Sequence, residues 1–316
     1  MLRRHILIFH QAALGDFIVT WPLAVALGRI FAQSRISYIT HASKGQLASR
    51  ILGVESIDVE HNWHLLHSEN PDLPDPNRKS LDAAQLIVSF VSTPGDTWEQ
   101  NITRFAPEAK LIQLKTKPLD DAPILDPELP PTLQNHVTAA LVSQLSGWQM
   151  IQAGVRQILR SVTQRGLPIG RSPDGSVIIH PGAGKPEKCW PLDRFVKLAE
   201  HLKKKHIPVR VLLGEVELEK WPPELIEKIS HAAEVRKPAT FLDLLKEIAP
   251  ASLFLGNDSG PAHLAAISGI PTLALFGTQP DRWKPIGPKV EVIHRDSIDS
   301  ISVHDVESTI TKQLHG

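Results

Sequence analysis

The sequence predicts an α/β fold of two doubly wound, Rossmann-like domains, and three observations carry that prediction. Short, almost wholly apolar runs at residues 6–9, 86–90, 176–180, 253–255 and 272–276 have the length and unbroken hydrophobicity of strands covered on both faces, as in parallel sheets. Helix-length segments separate them, and an alternation of strand and helix builds parallel βαβ units. The 316 residues suffice for two such cores, and residues 166–175, with two prolines and three glycines, read as the linker between them.

Composition narrows the function classes. Lys plus Arg and Asp plus Glu each number 34, so no net field draws the chain to nucleic acid or to an acidic membrane. Cys189 is the only cysteine, which rules out an internal disulfide framework and suits a reducing compartment. Residues 1–9 superficially look like a secretion signal. The apolar run stops at His10 and Gln11, however, and residues 6–9 read better as a first buried strand. No stretch approaches the roughly 20 apolar residues of a membrane span. A soluble, cytoplasmic protein is expected.

In chain order, the first strand leads through a loop into a helix entered at Asp16 and running past Thr20 and Pro22 to residue 31. Read by itself, Asp16 is a helix cap, favoured by free N–H groups and by the macrodipole. A dinucleotide fingerprint fits poorly, because residues 11–16 hold one glycine where three are needed. Strands follow at 36–40, 57–59, 86–90 and 110–114, with a helix at 45–52. His61, His64 and His67 fall at helical spacing. A metal site or an anion contact is one reading, but without accompanying Cys or carboxylate ligands a solvated face fits better. Residues 70–78 and 117–131 read as Pro- and Asp-rich loops, and Thr93 to Asp96 as a turn or a polar wall. Asp120-Asp121 is not an Asp-x-Asp metal pair, and none occurs in the chain. Helices are expected at 134–145, where Val137, Leu141 and Leu145 share a face, and at 149–162.

The second half opens with strand 176–180 and the turn Pro181-Gly182-Ala183-Gly184-Lys185-Pro186-Glu187-Lys188-Cys189-Trp190-Pro191, followed by a helix over 192–205. Gly182 and Gly184 allow close backbone approach to a ligand, and Lys188 supplies a positive point charge. No Ser or Thr follows the Gly-Lys pair, so this is not a Walker loop. Strand 209–213 ends at Gly214-Glu215-Val216-Glu217, and a capped helix occupies 240–250. The stretch 253–277 then reads strand, turn, helix, strand. Asp258 and Ser259 are N-cap types, Pro261 suits a first helical turn, and Gly269 and Pro271 stop the helix. A carboxylate and a helix N-terminus therefore meet at a strand's carboxyl end, where open α/β sheets bind ligands and free N–H groups attract phosphate. Residues 278–288 form a polar, Pro-rich loop suited to closing over a ligand, and 303–314 a terminal helix.

Three stretches, in this order, resemble glycosyltransferase family 9, the ADP-heptose:lipopolysaccharide heptosyltransferases. They are Leu14-Gly15-Asp16 with Thr20 and Pro22, His180 to Gly184 with Lys188, Trp190 and Pro191, and Asp258-Ser259-Gly260-Pro261-Ala262-His263. The resemblance implies a GT-B fold, two Rossmann-like domains facing a central cleft. Residues 1–170 would be the acceptor-binding domain, 171–298 the nucleotide-sugar-binding domain, and 299–316 a helix packing back on the first. It implies an inverting transferase passing heptose from ADP-heptose to a saccharide of lipopolysaccharide or a related envelope glycan.

In that scheme Asp16 is the general base and Lys188 contacts the donor diphosphate, with Gly182 and Gly184 beside it. The amides of Ser259 and Gly260 stabilise the leaving group, Asp258 holds donor-sugar hydroxyls, and His263 touches the diphosphate or braces the loop. Glu217, or its neighbour Glu215, meets the ribose. His10 departs from the pattern, standing where relatives often carry a basic residue. No metal or other cofactor is implied, since the nucleotide-sugar is a substrate. The partners would be that donor and a saccharide or lipid-linked saccharide acceptor, with no nucleic acid and at most peripheral contact at the inner face of the cytoplasmic membrane. A sugar-nucleotide epimerase of the same fold and a non-catalytic sugar-nucleotide binder are the alternatives.

Overall fold

The chain is described by a computed structural model over residues 4–117 and 126–315 and divides into two compact units. Met1–Leu129 and Val137–Leu159 form the first, and Pro130–His136 and Arg160–Gly316 the second. The first unit holds strands β1 (His5–Phe9), β2 (Arg35–Thr40), β3 (Glu55–Asp58), β4 (Ala84–Ser89) and β5 (Lys110–Gln113), all parallel, in the order β3-β2-β1-β4-β5. The second holds β6 (Val177–His180), β7 (Val209–Leu212), β8 (Glu234–Arg236), β9 (Leu253–Asn257), β10 (Thr272–Phe276) and β11 (Val290–His294), again all parallel, in the order β11-β10-β9-β6-β7-β8. Both sheets are doubly wound. Their strand order reverses between β1 and β4 in one and between β6 and β9 in the other, and the crevice at such a reversal is where these folds take ligands.

Burial explains which strands were legible. Every residue of β1, β6, β9 and β10 is buried, and their apolar runs announce it. The edge strands β8 and β11 went unrecognised, because Glu234, Arg236, Glu291 and His294 face solvent and interrupt the hydrophobic pattern.

Several expectations are corrected. The first helix breaks into Leu14–Val19 and Trp21–Ile30, because Pro22 has no N–H for the Ile18 carbonyl and the Thr20 hydroxyl donates back to Phe17 O at 2.7 Å. A helix at Asp75–Asp82 starts inside the segment expected to be loop, with Pro76 in its first turn. The turn at Thr93 to Asp96 is the cap of a further helix, Thr97–Phe105, with Asp96 Oδ1 accepting from the Glu99 N–H at 2.8 Å. Residues 166–175 do not bridge two domains but lie along the second unit, where the Arg171 guanidinium donates to the carbonyls of Ala249, Ala251 and Gly269.

The terminal helix Val303–His315, expected on the first domain, is packed in the second unit. Val306 and Ile310 enter that unit's core, and Glu307 bridges His201 at 2.9 Å and Lys205 at 2.7 Å from the helix Leu192–Lys204. Asp120 and Asp121 lie outside the described residues. Among the described residues no helix is long and apolar enough to cross a membrane.

Candidate active site

In the second unit the turns after β6 and β9 are tied together by one side chain. Asn257, the fully buried last residue of β9, donates from Nδ2 to Pro181 O at 2.8 Å and accepts the Trp190 N–H on Oδ1 at 3.0 Å. It thus holds both ends of the glycine-rich turn. Trp190 is the turn's anchor: its indole is buried edge-on against Phe195 and donates to Ile301 O at 3.0 Å. Lys188, two residues earlier, closes the short turn Pro186–Lys188 and places Nζ 2.5 Å from Asp258 Oδ2.

Asp258 also faces His263 Nε2, 3.9 Å from Oδ1. Burial pushes its carboxyl upward, but hydrogen bonds and charge from His263 and Lys188 outweigh that and hold it below the usual carboxylate range. The helix Gly260–Ile267 begins beside it. Ser259, at the N-cap position, makes no side-chain cap, and its buried hydroxyl has no hydrogen-bond partner. The first N–H groups of that helix are therefore left without a side-chain acceptor, the condition for binding an anion. Lys188, Asp258, Ser259, Gly260 and His263 are brought together in one group.

A cavity of about 340 Å³ adjoins this group, lined by Lys185, Lys188, Asp258, Thr278, Asp296 and Ser297 among others. Asp296 and Ser297 escaped sequence reasoning because β11, the strand they follow, was not recognised. His136 escaped it too. Fully buried at the end of Pro130–His136, it is hydrogen-bonded at 2.9 Å to Lys284 O and held down to about 3 by burial, with His263 adding to the effect. The loop expected to close over a ligand is fastened here as well. It carries the short helix Pro280–Trp283, its Ile286 is buried, and Gly287 lies so close to Ala266 that a Cβ would sit 2.1 Å from that carbonyl oxygen.

Glu217 is buried in the helix Glu215–Lys220, where Oε2 accepts the Gly214 N–H at 2.8 Å and lies 3.7 Å from His180 Nε2. Burial raises its carboxyl, but His180 and the backbone N–H groups outweigh that and lower it. A side chain at Gly182 would displace this carboxylate, since a Cβ would meet Glu217 Oε1 at 1.9 Å. Gly184 has open space around it. Glu215 is exposed.

In the first unit Asp16 is not a cap. It is the third residue of the helix Leu14–Val19, whose N-cap position is held by Ala13 without a side-chain hydrogen bond. Its side chain is 13% exposed, and Oδ2 lies 3.2 Å from Lys117 Nζ. His10 supplies no charge. Its ring is buried between Phe17 and Phe90, and burial, then the nearby Lys44 ammonium, lower it to about 3 against the opposing effect of the Asp16 backbone. His61, His64 and His67 are exposed around the turn Trp63–His67. Among the described residues no group of three or more His, Cys, Asp or Glu side chains is placed to hold a metal ion.

Comparison with known proteins adds to this geometry. The family model for glycosyltransferase family 9 (heptosyltransferase) matches residues 129–311, more than half of the chain. Lipopolysaccharide heptosyltransferase 3 of Escherichia coli (strain K12) is 32% identical over 120 residues, 35% of this chain and 34% of that one, so the chain spans about a third of that relative's length. Two solved structures match in fold: a family 9 glycosyl transferase from Veillonella parvula, with TM-score 0.70 and 16% identity over 99% of this chain and 98% of that one, and E. coli heptosyltransferase WaaC with ADP, with TM-score 0.64 and 14% identity over 98% and 99%. At such identities the structural likeness speaks for the fold class, two parallel-sheet α/β domains of GT-B type, and the family match speaks for the family.

Proposed function

The chain belongs to glycosyltransferase family 9, the heptosyltransferase family, and from that premise we propose that it transfers heptose from ADP-heptose to a saccharide acceptor of lipopolysaccharide or a related envelope glycan, with inversion. The observation that carries this reading is the group at the β6–β9 switch point: a lysine, an uncapped helix N-terminus and a buried serine hydroxyl without a partner, all beside one carboxylate. That combination suits a diphosphate with a polyhydroxylated sugar attached.

Lys188 and the amides of Ser259 and Gly260 take the charge that builds on the diphosphate as the bond to the anomeric carbon breaks. Asp258, released by Lys188, accepts hydrogen bonds from donor-sugar hydroxyls, and His263 braces it. Gly184, with open space around it, lets the backbone of this turn come close to the nucleotide, with Gly182 in the same turn, and Glu217, whose Oε1 fills the space beside Gly182, is the carboxylate we assign to the ribose. Asp16 takes the proton from the acceptor hydroxyl as that oxygen attacks the anomeric carbon, and passes it to water afterwards. Charge neutralisation comes from the protein, so turnover should not need a divalent cation. We place the protein in the cytoplasm, working at the inner membrane face where a lipid-linked acceptor is presented.

The test separates binding from chemistry. Asp16→Asn should bind ADP-heptose as the wild type does by calorimetry, yet transfer heptose to heptose-deficient lipopolysaccharide roughly 100-fold more slowly or worse. Near-normal transfer by that variant at saturating acceptor would remove Asp16 from the base role.

A further inference from the structure

The turn that delivers Asp16 is held from below by the buried Leu14 and Phe17, but its first residues have few polar ties of their own. After β1 the chain runs through His10, Gln11, Ala12 and Ala13 into the helix Leu14–Val19. Gln11 and Ala13 are exposed, the helix has no side-chain cap, and the buried His10 imidazole offers only its approach to the Asp16 backbone. The anchor comes from elsewhere. Lys44, in the helix Ala42–Leu52 after β2, is only 7% exposed, and its Nζ donates to Ala12 O at 2.7 Å and to Gln11 O at 3.2 Å. Among the described residues no carboxylate pairs with it.

An ammonium taken out of water without a counter-charge costs free energy, and two carbonyl oxygens offset that cost only in part. A methionine would fill the same space without that cost. The lysine therefore makes sense where the position of those two carbonyls matters, and they lie four and five residues before Asp16 in a turn of small side chains. We propose that Lys44 is a positioning residue for Asp16, pinning the Gln11 and Ala12 carbonyls so that the helix Leu14–Val19 presents the carboxylate in one place. This rests on the general-base role proposed above. A general base misplaced by about 1 Å loses on the order of 100-fold in rate.

Burial first, and the ammonium second, keep the His10 beside it neutral.

The experiment is a double-mutant cycle of Lys44→Met and Asp16→Asn, assayed with ADP-heptose and heptose-deficient lipopolysaccharide and accompanied by amide hydrogen exchange. Lys44→Met should lower kcat roughly 10- to 100-fold with the donor KM within about twofold, and speed exchange across residues 11–17 while leaving β1 and β2 protected. In the double variant the two losses should not multiply, because both act through one carboxylate. Multiplying losses, an unchanged kcat in Lys44→Met, or unchanged exchange across residues 11–17 would each overturn the proposal. If Asp16→Asn alone proves near-normal, the base reading fails, and the exchange result then reports on the anchoring alone. Should Lys44→Met fold poorly, Lys44→Gln, which keeps an N–H donor, carries the same cycle and should show a smaller loss.

Discussion

The two switch points do the same topological job with different materials. At β6 and β9 the two turns are bound to each other by Asn257, a side chain within the crevice itself. At β1 and β4 the residue in the corresponding place is Ser89, whose hydroxyl stays with its own turn, bonded to Ser92 Oγ at 2.7 Å and to the Val91 N–H at 3.2 Å. The turn after β1 is left to Lys44, reaching in from the helix after β2. The second unit therefore carries a prebuilt, cross-braced pocket of charged groups. The first carries one carboxylate after a turn whose polar anchor comes from a neighbouring helix. A binding site gains from rigid preorganisation, because ordering it in advance lowers the cost of taking up ligand. A reacting group needs only one atom in the right place, and one anchor is enough for that.

The largest effect that tests this contrast is expected at Asn257. Asn257→Ala leaves the Trp190 N–H and the Pro181 carbonyl buried without partners, and should cost roughly 2–4 kcal/mol in urea unfolding together with most of the affinity for ADP-heptose. A loss below about 1 kcal/mol would mean that the turns support themselves, and the contrast between the units would dissolve.

Lys188 comes next. Removing one charged hydrogen bond to the diphosphate should lower kcat/KM roughly 10- to 150-fold in Lys188→Ala, with part of the loss in kcat because charge grows toward the transition state. Lys185, exposed in the same turn and 3.8 Å from Glu187, is the internal control and should matter much less. The reverse ranking would show that the cavity beside Lys185 and Asp296, not the helix N-terminus, takes the diphosphate.

The smallest effect is on acid stability and distinguishes the units by their buried histidines. In the first unit His5 is lowered to about 4 and His10 to about 3, both chiefly by burial; in the second His136 is lowered to about 3. A histidine whose folded value is depressed stays neutral in the native state while the unfolded chain takes up a proton below the ordinary 6.5. Stability is therefore lost as pH falls from 6.5, by up to about 1.4 kcal/mol per pH unit for each such residue. The lowered carboxylates Asp258 and Glu217 come into play only further down, as pH falls through the carboxylate range. Between pH 6.5 and 5, hydrogen-exchange protection should then fall about twice as steeply in the first unit as in the second, and His10→Phe should bring the two slopes together. Equal slopes in the wild-type chain would show that the His10 ring is hydrated and titrates normally.

What the sequence determined by itself is the α/β class, the two sheets and the turns after β1, β6 and β9. It did so because central parallel strands must be apolar on both faces, and because glycine, proline and the capping residues declare a turn wherever it sits. Asp16, Lys188, Asp258 and His263 were singled out because each lies in or beside one of those turns and matches the family's pattern there. The tertiary structure alone decided what those residues meet. Trp190 and Asn257 are 67 positions apart, and Lys44 and Ala12 are 32 apart, so each pair is set by strand order and not by local pattern. The edge strands β8 and β11 were hidden because a strand covered on one side carries only half the apolar signal. With β11 went Asp296 and Ser297, which follow it. Local chemistry writes the turns into the sequence; which buried amide or ammonium holds each of them is decided when the sheets assemble.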